Sequence, residues 1–125
     1  MKKLYLDDLR IPKDSIGFVP DKLNQFYWSN DWVIVRNFWE FCNYIQKFGL
    51  PDFISFDHDL ADEHYVSDLN YDDYNEKTGY EAAKWLVDYC FDNKKPLPDF
   101  VVHSANTVGK VNIESYLNNA KRHLL

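Results

Sequence analysis

Three short apolar runs in this chain end in side chains able to do chemistry. Leu4 to Leu6 is followed by Asp7 and Asp8, Phe53 to Phe56 by Asp57, His58 and Asp59, and Phe100 to Val102 by His103, Ser104 and Asn106. Carboxylates brought together repel and shift one another's pKa unless a cation or a proton neutralises them. An oxygen-rich set of this kind suits a hard divalent cation such as Mg²⁺, shared with water and a substrate phosphate. Asp7, Asp8 and Asp57 are the candidate ligands, and Asp59 either joins them or caps the next turn. His58 and His103 offer imidazoles for general acid or base work near neutral pH, and His103 is the first choice because it leads a polar cluster. Ser104 and Asn106 can donate to phosphate oxygens, or form a turn and cap the last helix. Arg10 and Lys110 follow their clusters closely enough to clamp a phosphate, although either also reads as a solvated surface charge. The plainer readings stand beside these: paired aspartates are common in turns, and many histidines are structural.

The elements that must position these residues alternate between strands and helices. Leu4–Leu6, Trp32–Val35, Phe53–Phe56 and Phe100–Val102 read as buried strands. Asn37 with Glu40 and Thr78 with Glu81 resemble capping boxes. They open helices carrying Phe38, Phe41, Cys42, Ile45 and Phe48, and Tyr80, Ala83, Leu86, Val87, Cys90 and Phe91, at helical spacing. A last helix shows Ile113, Tyr116, Leu117, Ala120 and Leu124 on one face. Residues 9 to 31, broken by Pro12, Gly17 and Pro20, read as a long, partly ordered connection. The Asp- and Tyr-rich stretch from Leu60 to Lys77 reads as a loop over the strand ends. Strand–helix alternation implies a parallel sheet with right-handed crossovers and helices on both faces. In such sheets ligands bind beyond the carboxyl ends of the strands, where the strand order reverses. The three polar tips should therefore converge.

Composition narrows the function classes. One domain is the expectation for 125 residues, and 46% hydrophobic with 18% aromatic content is too apolar for a disordered chain. A net charge of −6 argues against a surface that tracks long duplex DNA, which needs clustered Lys and Arg. Cys42 and Cys90, on apolar helix faces in a chain without a secretion signal, read as reduced core residues, and a cytoplasmic location without membrane attachment is expected. A calcium-loop reading fails. Begun at Asp57 or Asp68, the position that needs glycine holds Asp62 or Asp73, and the bidentate glutamate is absent. Tyr65, Tyr71 and Tyr74 suit packing better than a base-stacking platform, and His64 and His123 read as loop and surface residues.

Four segments in order carry a resemblance: Leu6-Asp7-Asp8-Leu9-Arg10-Ile11-Pro12, Ile54-Ser55-Phe56-Asp57-His58-Asp59-Leu60, Thr78-Gly79-Tyr80-Glu81-Ala82-Ala83-Lys84-Trp85-Leu86, and His103-Ser104-Ala105-Asn106-Thr107-Val108-Gly109-Lys110. Together they resemble the cyclic-phosphate processing receiver-like family. The resemblance implies an α/β, receiver-like (flavodoxin-type) parallel sheet of about four strands. It also implies action on cyclic or terminal phosphates of nucleotides or RNA ends. Set beside two-component receiver domains, Asp7, Asp8, Asp57 and Ser104 match the acidic pair, the phosphoacceptor and the Ser/Thr position, whereas the fifth strand and its lysine have no counterpart. The leading expectation is a metal-dependent phosphoesterase: Asp7, Asp8 and Asp57 around Mg²⁺, His103 transferring protons, and Arg10, Ser104 and Asn106 holding phosphate. The alternatives are a non-catalytic, degenerate receiver that binds a phosphate ligand or a protein partner, and a switch in which Asp57 is the covalent site.

Overall fold

Four-residue strands too short to stand alone are held here by mutual pairing. The computed structural model describes residues 1–60 and 78–123. Strands β1 (Lys3–Leu6), β2 (Trp32–Val35), β3 (Phe53–Phe56) and β4 (Asp99–Val102) form one parallel sheet in the order β2-β1-β3-β4. Leu6 lies opposite both Val35 and Phe56, and Phe56 opposite Val102, so all four strands end level. The calcium-loop positions Asp62, Asp68 and Asp73 and the stretch with Tyr65, Tyr71 and Tyr74 fall outside the described residues, as do His64 and Leu124.

Alternation along each strand divides the core in two. Leu4, Leu6, Ile54, Phe56 and Val102 pack on one face against Phe41 and Ile45 of α2 (Phe38–Phe48), Leu86 of α3 (Gly79–Asp92), and Ile113 and Leu117 of α4 (Thr107–His123). Tyr5, Phe53 and Trp32 face the other way and meet Val19 and Tyr27. The second layer is made by the β1–β2 connection, which is more ordered than its broken sequence suggests. It contains 3₁₀ turns at Pro12–Ser15 and Asp21–Leu23 and a five-residue helix, α1 (Asn24–Trp28), whose Tyr27 is fully buried. Proline and glycine forbid a long helix here, but aromatic burial orders the segment all the same. Lys3 closes the lower edge, its ammonium 2.8 Å from Asp31 and 3.1 Å from the Phe26 carbonyl.

The helix starts follow the expected chemistry. Asn37 Oδ1 accepts from the Glu40 amide at 2.9 Å, while Glu40 reaches back one residue further than a capping box would, to the Arg36 amide. Thr78 Oγ1 accepts from the Glu81 amide. Cys42 and Cys90 are buried free thiols. Among the described residues no helix is long and apolar enough to cross a membrane.

One glycine sets the spacing between sheet and helix. Gly79 donates its amide to the His58 carbonyl at 2.7 Å, and a Cβ there would lie 1.7 Å from the Asp57 carbonyl oxygen. Backbone cannot yield cheaply to such an overlap. Gly79→Ala should lower stability by about 1–3 kcal/mol, measured as a reduced urea midpoint. An unchanged midpoint would show that α3 is free to slide away from β3.

Candidate active site

The sheet order reverses between β1 and β3, and the chemistry lies beyond their carboxyl ends. Each tip residue is pinned by one more ladder bond. The Asp7 amide donates to Val35 O at 3.1 Å, Asp57 to Leu6 O at 2.9 Å, and His103 to Phe56 O at 2.9 Å. Three distant segments are thereby fixed at one level.

Asp7 is 1% exposed, and the groups around it engage both carboxylate oxygens. Oδ1 accepts the amides of Leu9 and Arg10 at 2.9 and 2.8 Å, and Oδ2 lies 3.0 Å from His103 Nε2. Burial alone would raise its pKa. The His103 bond and the two amides overcome that and bring it down to about 2. His103 is fully buried, with Nδ1 2.6 Å from Ser55 Oγ and its ring stacked on Tyr5 at a centroid distance of 4.4 Å. Burial pushes its pKa below the usual imidazole value, against the pull of Asp7. Ser55 Oγ in turn meets the Tyr27 hydroxyl at 2.7 Å.

Asp57 has the opposite fate. Burial first, then the neighbouring Asp7 charge, push it up to about 7, although Ser104 and the His58 amide favour the anion. Its Oδ1 accepts that amide at 2.8 Å. Asp7, Asp57 and His103 each offer an atom within 4.8 Å of the others, a group able to hold a metal ion. His103 Nε2, however, already faces Asp7.

A cavity of about 270 Å³ opens onto this pair, lined by Asp7, Asp8, Arg10, Asp57, Asp59 and Asn106 among others. Ser104 also lines it and accepts the Asn106 amide at 3.1 Å. Asn106 spends Oδ1 on the Gly109 amide at 2.9 Å, capping α4, and holds Nδ2 3.4 Å from both Asp59 oxygens. Arg10 keeps its guanidinium over the Phe18 ring at 5.4 Å. His58 does not itself line the cavity but bonds a residue that does, Nδ1 2.8 Å from Asp59 Oδ1, and its ring lies where a Gly109 Cβ would fall.

The structure thus brings together Asp7, Asp8, Asp57, Asp59, Arg10, Ser104 and Asn106 around one cavity, with His58 beside it. Two further expected residues lie outside this lining. Lys110 does not line the cavity, since it lies a turn inside α4 beyond the capping Asn106. His103 lies behind Asp7 with both nitrogens bonded, so it reaches a ligand only through that carboxylate. Sequence reasoning passed over Ser55, Tyr27 and Arg36, whose Nη1 bonds the carbonyls of Asp7 and Arg10 at 3.3 and 2.6 Å and ties down the loop. A lone serine within Phe53-Ile54-Ser55-Phe56 was the available signal for the first.

A four-stranded parallel sheet with a buried acidic cluster at its switch point defines a receiver-like α/β domain. The chain belongs to the cyclic-phosphate processing receiver domain family, which it matches over residues 2–119. No curated protein and no solved structure matches it.

Because Asp57 keeps its proton up to about pH 7 when folded but releases it near 3.8 when unfolded, folding binds a proton between those values. Without metal, stability should therefore fall as pH rises from 4 to 7. Each unit of displacement corresponds to ~1.4 kcal/mol. In chelator, Asp57→Asn should flatten that slope and be the more stable protein at pH 8. Parallel denaturation profiles for the two proteins would refute the assignment.

Proposed function

We propose that the protein is a metal-dependent phosphoesterase acting on a cyclic or terminal phosphate of a nucleotide or RNA end. One observation carries the reading: a single cavity joins a buried carboxylate pair short of positive charge to phosphate-binding groups. Family membership supports the phosphate class.

The residues present fit a hard divalent cation. Asp57 is held protonated near neutrality by burial and by Asp7, the penalty a cation removes, and the accessible donors are oxygens. Asp57, Asp7 and Asp8 would hold Mg²⁺ or Mn²⁺, with Asp59 at the rim. Such an ion supplies positive charge to phosphoryl oxygens. Arg10, steadied on Phe18, orients the phosphate, as do Ser104 and the Asn106 amide group. In hydrolysis a water oxygen forms a new bond to phosphorus, one ester P–O bond breaks, and the departing oxygen takes a proton. His58 is the imidazole placed to exchange protons, oriented by Asp59 in the manner of a His–carboxylate dyad. His103 acts on Asp7, holding it anionic and in one rotamer.

A second reading, phosphate sensing without turnover, draws on the complete burial of His103 and the cap duty of Asn106. Turnover of a panel of cyclic nucleotides and RNA ends, with and without Mg²⁺, separates the two. The phosphoesterase account expects metal-dependent ring opening or phosphate release, and His58→Ala should lower kcat by ~10²- to 10⁴-fold with little change in KM. Binding of these compounds without any turnover would favour the sensing module.

A further inference from the structure

The polar chain behind the site has an end, and the end fixes its direction. Tyr27 is fully buried, and among the described residues its hydroxyl has a single hydrogen-bond partner, Ser55 Oγ at 2.7 Å. A buried hydroxyl proton left without an acceptor is costly, so Tyr27 donates to Ser55. Ser55 then directs its own proton to His103 Nδ1, 2.6 Å away. With Nδ1 accepting, the ring proton of a neutral imidazole resides on Nε2, 3.0 Å from Asp7 Oδ2. The far end agrees: Asp7 Oδ1 accepts two backbone amides, the pattern of an ionised carboxylate that takes a third donor at Oδ2.

The reverse polarity fails at both ends. It would place a proton on Asp7 and make Nδ1–H donate to Ser55 and Ser55 to Tyr27, and the Tyr27 proton would then find no acceptor among the described residues. A flipped ring is resisted as well: Tyr5, itself tied to Ser15 at 2.6 Å, stacks on His103 with an interplanar angle of 5° and fixes the plane, and a half-turn within that plane would put carbons where Nδ1 meets Ser55 and Nε2 meets Asp7.

We propose that Tyr27 and Ser55 are positioning residues that lock His103 as its Nε2–H tautomer and aim that N–H at Asp7. Neither residue lines the cavity; both act through the ring. The consequence is one of specificity. A nitrogen that carries a proton cannot ligate a metal, so the lock withdraws His103 Nε2 from the group of three potential ligands and leaves a site of oxygen donors. The β1–β2 connection, which carries Tyr27, thereby controls the chemistry beyond the opposite end of the strands. This consequence rests on the metal-site reading above, whereas the tautomer does not.

Long-range ¹H–¹⁵N correlation spectra of the histidine rings read the tautomer directly, in protein free of metal and substrate. Native protein should show His103 with a protonated Nε2 and a bare Nδ1 at neutral pH. A protonated Nδ1, alone or together with Nε2, overturns the proposal. Ser55→Ala should shift the Nδ1 resonance or mix the tautomers, and Ser55→Thr, which keeps the hydroxyl, should restore the native pattern. Should Ser55→Ala fail to fold, Tyr27→Phe serves in its place. An unchanged His103 pattern in the folded hydroxyl-deletion variant also overturns the lock. Titrated with Mn²⁺ and with Zn²⁺, the same variant should shift its preference toward Zn²⁺ relative to native protein, because a freed Nε2 adds a nitrogen donor, and an unchanged preference overturns the specificity consequence. Absence of Mn²⁺ binding in native protein would count against the metal-site reading alone, since the ring spectra stand without it.

Discussion

Two buried carboxylates share one small volume at the switch point of the sheet, and much of the surrounding structure answers their mutual repulsion. Asp7 is rescued as an anion by three donors, the amides of Leu9 and Arg10 and the ring of His103. Asp57 has the amide of His58 and the hydroxyl of Ser104, and these do not suffice. The asymmetry follows from counting donors: the carboxylate with three strong partners ionises, and its neighbour retains a proton. Under the proposed function, a cation would relieve this condition and would in turn attract phosphate.

The fold divides its labour by face. Three long helices bury the aliphatic side of the sheet and supply its cohesion. The other face carries every buried polar group that backs the site: Tyr5, Ser55 and His103 from the sheet, Ser15 and Tyr27 from the connection. Residues two apart in a strand share a face, which places Lys3, Tyr5 and Asp7 in one column, running from an ion pair at the lower edge to the chemistry at the upper. The thin layer of 3₁₀ turns and the short α1 therefore serves the site as well as the core.

Much of this was legible in the sequence. Apolar runs ending in acid marked two of the strand tips and one ending in His103 and Ser104 marked a third, and the Asn37 and Thr78 caps located the starts of two helices to the residue. Two features were hidden. Side-chain depth at a strand tip depends on which neighbour lies behind it, so nothing local distinguished His103, buried behind Asp7, from His58, half-buried beside Asp59. Order in residues 9–31 comes from long-range burial of Tyr27 and Val19 against Tyr5, Trp32 and Phe53, while the local signals of Pro12, Gly17 and Pro20 all read as breaks. Lys110 was hidden for a related reason, because spacing from a motif does not say whether a residue one turn into a helix lines the cavity, and it does not.

The central claim is that a divalent cation takes up the charge that Asp57 cannot hold unaided. Calorimetric titration of Mn²⁺ in buffers of differing ionisation enthalpy counts the protons released on binding. A carboxyl with a pKa of about 7 must give up its proton to become a ligand. Release of most of a proton per ion at pH 6, falling toward none at pH 8.5 and vanishing in Asp57→Asn, is the expected result. Binding with no proton release at pH 6, or no binding at all, would contradict the account.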